Sequence, residues 1–250
     1  GDFYKSIFNK IKIAYPQNFD TKFFLKKLNT NKIKYIGNLK FVDNHQNNEN
    51  IITNKLKFQL KNKKIWVASS THFNEEIFCA KTHLELKKKI KNVLTVIIPR
   101  HVHRTQEIVK NIESLGLKVS IHSSKTINLK NTDIYIVDTF GETKKFHKIG
   151  CSVFLGGSII SRGGQNPLEA ARLGAKIFHG PNVDNFKDVY KLLKSLKISK
   201  KINTAKELSS LISFKRDKNS AKKIKKIGRK ILSKTIIELE NLINNEFKKT

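Results

Sequence analysis

Between Lys64 and about residue 196, short apolar runs alternate with longer amphipathic stretches, and this rhythm limits the possible folds more than any other feature of the chain. Ile65-Trp66-Val67-Ala68, residues 93–98, Val119-Ser120-Ile121, Ile134-Tyr135-Ile136-Val137, Cys151-Ser152-Val153-Phe154-Leu155 and residues 175–178 read as strands. Residues 75–90, 105–115 and 183–196 read as helices between or after them. Strands that are apolar almost throughout need cover on both faces, which a parallel sheet with helical crossovers supplies. The expected fold class is α/β with a Rossmann-like parallel sheet.

The flanks read differently. Residues 1–41 offer a short strand at Ile11-Lys12-Ile13-Ala14-Tyr15, a helix over 21–28 with Phe23, Phe24 and Leu28 on one side, and a second strand over 33–36. A piece of this size cannot bury its own core, so it is expected to be the remnant of an N-terminal domain. Residues 42–63, rich in Asn, Gln and Lys, are expected to be a linker, and 64–250 a C-terminal domain. That domain would end in a helix over 221–247, where Ile224, Ile227, Ile231, Ile236, Leu239, Leu242 and Ile243 recur at helical spacing among lysines. Packing on the domain is the expectation for this helix; lying on anionic lipid is its alternative.

Composition bears on partners. Fifty basic residues against 20 acidic ones give a net charge of +30, a field that favours anionic partners. Arginine occurs only at 100, 104, 162, 172, 216 and 229. The guanidinium forks that read bases and grip phosphates are therefore sparse, and the charge reads as diffuse attraction to anionic surfaces rather than nucleic-acid recognition. Cys79 and Cys151 form no disulfide framework, which points to a reducing compartment. No apolar run approaches bilayer-spanning length. A chain with no methionine that begins at Gly1 is expected to be part of a longer product.

Polar clusters follow the predicted strands: Ser69-Ser70-Thr71-His72 with Glu75-Glu76, then Pro99-Arg100-His101-Val102-His103-Arg104, Asp138-Thr139-Phe140-Gly141-Glu142, and the loop from Gly156-Gly157-Ser158 to Gly163-Gly164-Gln165-Asn166-Pro167-Leu168-Glu169. In a parallel sheet all four leave the same edge, where such folds bind ligands. Arg100, directly after a strand, is the first phosphate candidate. The free N–H groups around Asn166 to Leu168 are the second, at a helix start that Asn166 can cap, Pro167 can open and Glu169 can close as a capping box. Glu169 could accept from a ribose diol, and Phe140 with Gly141 could form a flat wall for a base. His72, His101, His103, and Cys79 with His83 lack the spacing of a zinc site, so no metal is expected.

Taken together these motifs, with Gly37-Asn38-Leu39-Lys40-Phe41 before them and Gly180-Pro181 and Asn185-Phe186 after them, resemble the 3-deoxy-D-manno-octulosonic acid (Kdo) transferases. The resemblance implies a GT-B glycosyltransferase, two Rossmann-like domains facing a cleft, of which this chain is the C-terminal, donor-binding half. It implies transfer of Kdo from CMP-Kdo to a lipid A precursor in lipopolysaccharide biosynthesis, with no cofactor. The setting would be the cytoplasmic face of the Gram-negative inner membrane, the enzyme being peripheral or anchored through an N-terminal part. Partners would be CMP-Kdo, the lipid A precursor and the anionic membrane surface, with no nucleic acid. The CMP contacts would fall on Pro99, Arg100, Phe140, Gly141, Glu142, Asn166, Pro167, Leu168 and Glu169. Ser70, Thr71, His72 and Ser158 are further candidates at the donor site. The family's general-base glutamate lies in its N-terminal domain, so this chain is expected to bind nucleotide without turnover. Two positions depart from the pattern: Gln165 stands where the family has histidine, and Phe73-Asn74 replace Glu-Gly. The alternatives are a GT-B transferase or epimerase that uses a UDP-sugar, and a non-catalytic basic binding module.

Overall fold

The structure, a computed structural model, describes residues 2–42 and 52–247. In chain order its elements are α1 (Asp2–Phe8), α2 (Phe19–Lys27), α3 (Asn54–Leu60), β1 (Lys64–Thr71), α4 (Glu75–Lys87), β2 (Val93–Pro99), α5 (Thr105–Glu113), β3 (Val119–Ile121), β4 (Ile134–Ile136), α6 (Thr143–His147), β5 (Ser152–Leu155), α7 (Leu168–Arg172), β6 (Lys176–His179), α8 (Lys187–Ser195), β7 (Ser199–Lys201), α9 (Ala205–Leu211) and α10 (Lys218–Phe247). They form two compact units, one of residues 47–221 and one joining 1–46 to 222–250.

The larger unit is built on a seven-stranded sheet in the order β3-β4-β2-β1-β5-β6-β7, with every pairing parallel. Alternation along each strand sorts its side chains between two faces. Trp66, Ala68, Ile97, Ile134, Ile136, Phe154 and Phe178 pack with Cys79, Ala80 and Leu86 of α4, Ile108 and Ile112 of α5, and Leu208 of α9. Val67, Val96, Tyr135, Val153 and Ile177, on the opposite face, are equally buried. There α6 lies over β1, and Phe146 stands 6.0 Å from the Tyr135 ring. The expected doubly covered parallel sheet is therefore what forms.

Two boundaries need correction. Part of the expected linker is helical: Thr53 Oγ1 accepts from Leu56 N at the start of α3, and Leu56 and Leu60 are buried. The Gln59 side chain then ties α3 to the sheet unit, donating to Ile127 O at 2.8 Å and accepting from Leu129 N at 2.7 Å. Two leucines one turn apart carry too little periodicity to stand out among lysines, yet they suffice to dock a short helix. The rest of that stretch, residues 43–51, lies outside the described residues.

The second correction concerns α10. Past its first turn it belongs with the N-terminal segment rather than with the 64–250 domain. Within the smaller unit Tyr15 Oη donates to Glu238 Oε1 at 3.2 Å, Lys34 pairs with Glu238, and Ile231 lies against Gly37. The two strands expected over 11–15 and 33–36 reduce to a single parallel bridge, Ala14 to Ile33. A two-stranded ribbon with no third strand has little to stabilise it.

Candidate functional site

β1 is the centre of the sheet, with β2 on one side and β5 on the other. The chain runs outward from β1 in one direction through β2, then returns to add β5, β6 and β7 on the other side. A sheet that reverses in this way opens a crevice beyond the carboxyl ends of the two central strands. Here those ends are Thr71 of β1 and Leu155 of β5.

What fills the base of the crevice is a carboxylate. Glu75, with no exposed surface, accepts N–H groups from His72 (3.0 Å) and Gly157 (2.7 Å) on one oxygen and from Ser158 (3.0 Å) and Ile159 (3.0 Å) on the other. The loop after β5 thus curls around the first residue of α4. Gly156 is required for this approach, since a methyl group there would stand 2.3 Å from Ser70 O and 2.6 Å from Thr71 Cα. Gly157 is required for the turn itself, at φ +64°. A β-bulge between Ser69 and Thr71, with Ser70 at φ +54°, brings β1 to meet the loop. Next to Glu75, the buried Glu76 has its carboxyl pushed up by burial, with Arg104 opposing at 3.3 Å.

The predicted residues take the following places. Pro99 ends β2 and is buried; Arg100 is exposed, its N–H donating to Thr71 O at 2.9 Å. Among the described residues the Arg100 side chain has no hydrogen-bond or ion-pair partner. Phe140 follows β4 with 80% of its surface exposed, Gly141 turns at φ +81°, and Glu142 leads into α6 with Lys145 at 2.8 Å. Phe140 is therefore an open apolar face on the edge where β1 and β2 end.

At α7 the outcome is mixed. Asn166 Oδ1 accepts from Leu168 N at 3.1 Å, as a cap should. Because Pro167 has no N–H and Leu168 has spent its own, the amide cradle expected here is poorer than the sequence suggests. Glu169 Oε1 meets Nδ1 of His147, at the end of α6, at 2.9 Å. That contact joins the loop after β4 to the loop after β5.

Of the further candidates, Thr71 is fully buried and Ser158 likewise. The Ser158 hydroxyl donates to Leu155 O at 2.5 Å and accepts from Gly180 N at 2.8 Å, latching the loop after β5 to the loop after β6. That hydroxyl is spent on structure. His72 is half-buried, with Nδ1 donating to Ser70 O at 3.0 Å and its ring edge-on to His101 at 5.6 Å. Burial pushes the His72 pKa down.

Sequence reasoning missed His147 and the depth of Glu75. Cys79 and His83 turn out to be core residues of α4, His83 Nδ1 lying 2.8 Å from Thr95 Oγ1. Among the described residues no group of three or more His, Cys, Asp or Glu side chains is placed to hold a metal ion.

No family model matches the chain. It is 32% identical over 192 residues to the 3-deoxy-D-manno-octulosonic acid transferase of Rickettsia bellii, covering 76% of this chain and 45% of that protein. Against the enzyme of the same name from Haemophilus influenzae, identity is 26% over 217 residues, with 85% of this chain and 51% of that one covered. The fold is similar to the crystal structure of the C-terminal CMP-Kdo binding domain of WaaA from Acinetobacter baumannii: TM-score 0.60 and 21% identity, covering 71% of this chain and 94% of that domain. The chain spans about half the length of the curated relatives it matches, or less. Over the matched residues the chain is a homologue of the 3-deoxy-D-manno-octulosonic acid transferases, with an α/β fold similar to that of the C-terminal CMP-Kdo binding domain.

Proposed function

We propose that this chain is the donor-binding part of a glycosyltransferase that moves Kdo from CMP-Kdo to a lipid A precursor in lipopolysaccharide biosynthesis. One observation supports the reading: Arg100 follows β2, the 138–142 loop follows β4 and Glu169 lies in the helix after β5, all leaving the carboxyl edge of one parallel sheet, in a chain homologous to Kdo transferases. In this reading Pro99 and Arg100 take the phosphate, Phe140 and Gly141 lie against the cytosine, and Glu169 accepts from the ribose. Asn166, Pro167 and Leu168 form the floor beside it, and Glu142 with Lys145 holds the 138–142 loop. Ser70, Thr71 and His72 lie toward the sugar.

The reaction forms a bond from an acceptor hydroxyl oxygen to the anomeric carbon as that carbon's bond to the phosphate oxygen breaks, and CMP departs. The hydroxyl proton goes to a carboxylate base outside this chain. Arg100 supplies positive charge to the departing phosphate, and no cofactor enters.

The membrane setting is part of the same proposal. Among the described residues no helix is long and apolar enough to cross a membrane. The smaller unit exposes Phe3, Tyr4, Phe19, Phe23 and Phe24 at 57–71%, and α10 exposes Ile236, Ile237, Leu239 and Ile243 among lysines. Exposed aromatics beside a net charge of +30 suit an anionic membrane surface, here the cytoplasmic face of the inner membrane.

Calorimetric titration with CMP tests the site. Arg100→Ala is expected to weaken binding by about 10–100-fold, the loss of a charged hydrogen-bonding partner, and Glu169→Ala by about tenfold. Wild-type affinity in both variants overturns the assignment. A wild-type protein that prefers UDP to CMP would favour a UDP-sugar enzyme of the same fold.

A further inference from the structure

The six arginines of this chain are not used alike. Arg104 is held by Glu76 and Glu107, and Arg216 by backbone carbonyls. Arg100 and Arg162 have no side-chain hydrogen bond or ion pair among the described residues. Both adjoin the carboxyl end of β1. Arg100 follows β2, its N–H on Thr71 O at 2.9 Å; Arg162 lies in the loop after β5, beside His72 across Gly157.

Gly157 is where that second neighbourhood converges. A methyl group on its Cα would stand 3.2 Å from His72 Cε1, 3.4 Å from Arg162 Cβ and 3.4 Å from Gln165 Nε2. The peptide beneath is fully committed: Gly157 N donates to Glu75 at 2.7 Å, and Gly157 O accepts from Gly164 N at 2.8 Å. The His72 ring and the Gln165 amide are therefore what this spot offers, with the Arg162 charge near enough to act on His72. The loop that carries Arg162 is anchored independently, since Asn185 Nδ2 donates to Arg162 O at 3.2 Å and Asn185 N to Gly163 O at 3.1 Å. A cation on a held backbone, with no acid to neutralise it, is poised for an anion.

We infer that Arg162 and Gln165, with His72 beside them, form a second anion subsite that takes the carboxylate of the donor's sugar acid. This rests on the nucleotide reading above. A CMP-linked 2-keto sugar acid carries two anionic groups on one anomeric carbon, the phosphate and the carboxylate. Arg100 and Arg162 approach one strand end from the segments that follow the two neighbouring strands, and a dianionic donor is the ligand that uses both. His72 adds discrimination of another kind. Its Nδ1 must donate to the Ser70 carbonyl, which in the neutral ring leaves Nε2 to accept from a sugar hydroxyl. The subsite thus distinguishes a sugar acid from a neutral sugar, where the nucleotide contacts cannot.

The test compares CMP with CMP-Kdo as ligands for the chain as it exists, in wild type, Arg162→Ala, Arg162→Lys and Arg100→Ala. Wild type is expected to bind CMP-Kdo about tenfold tighter than CMP. Arg162→Ala should lose that gain while CMP affinity stays within about twofold; Arg162→Lys should recover part of it, and Arg100→Ala should weaken both ligands together. CMP binding with an unchanged CMP-Kdo to CMP ratio in Arg162→Ala overturns the subsite alone. Absence of CMP binding in wild type overturns the nucleotide reading, and the subsite with it. Arg162 is exposed, so thermal melts matching wild type are expected of its variants, and Gln165→Ala gives a second, independent reading of the same ratio.

Discussion

Glu75 has no exposed surface, yet four backbone N–H groups lie 2.7–3.0 Å from its two oxygens. The two oxygens divide the work, one for His72 and Gly157, the other for Ser158 and Ile159. Glutamine would keep only one acceptor oxygen and would turn an NH2 group toward two of those donors. Glu75→Gln is therefore expected to cost about 2–5 kcal/mol, the penalty for buried donors left unpaired, read as a lower urea midpoint. A loss below about 1 kcal/mol would mean that the loop finds other acceptors and that the carboxylate does not hold it. Legibility at this scale follows sequence distance. Arg100 and Phe140 could be placed because each follows a strand directly. Glu75 could be seen to follow one too, but three of its four amide partners lie 82 to 84 residues away, and no local pattern announces them. Ser158 shows the converse error: a serine after two glycines reads as a ligand contact, while its hydroxyl is consumed by Leu155 and Gly180.

The helices that carry Glu142 and Glu169 toward the crevice, α6 and α7, are five residues each, too short to hold themselves. Arg216 supplies what they lack. Its guanidinium donates to Leu173 O at the end of α7, and to His147 O and Gly150 O at and after the end of α6, the last at 2.9 Å. A cation at two helix C-termini also meets the negative ends of both dipoles. Arg216→Ala is expected to destabilise the larger unit by about 2–4 kcal/mol and to weaken CMP binding by loosening the His147–Glu169 contact. Arg216→Lys should fall between, keeping the charge and losing the fork. A melting temperature unchanged in Arg216→Ala overturns the clamp. The long apolar strands and the helices over 75–87 and 105–113 were legible because their periodicity runs for several turns or pairs. The elements that escaped, α1, α3, α6, α9 and β7, are three to seven residues long, too short for a period to declare itself. For α10 the spacing of isoleucines revealed a helix, but periodicity says only that a face is buried, not which segment buries it. Past its first turn α10 groups with the N-terminal segment, and Ile236, Leu239 and Ile243 of the same pattern stay exposed.

A chain with 50 basic and 20 acidic residues gains further positive charge as its histidines protonate, and the fold resists that protonation. His72, His83, His122 and His179 all have lowered pKa values, burial being the largest cause in each. His83 is the extreme case, with no exposed surface and a pKa pushed down to about 4, although Asp133 stands 3.4 Å from its Nε2 and works the other way. Folded His83 is therefore neutral where the unfolded chain, near 6.5, has begun to bind a proton. The stability that this contributes is present in full above about pH 6.5 and drains away as pH falls toward 4, amounting to about 3 kcal/mol. Asp133 drains stability in the same direction. Burial pushes its carboxyl up, but the Lys118 N–H and the Lys87 ammonium, 2.6 Å away, more than offset this and hold it below the ordinary carboxylate range. Stability measured by urea denaturation is accordingly expected to decline steeply between pH 6.5 and 4.5. His83→Gln, whatever it costs at neutral pH, should flatten that decline, because glutamine takes up no proton on unfolding. A slope against pH in His83→Gln equal to that of wild type would show that the acid sensitivity resides elsewhere, in the carboxylates or in the mounting self-repulsion of the whole molecule.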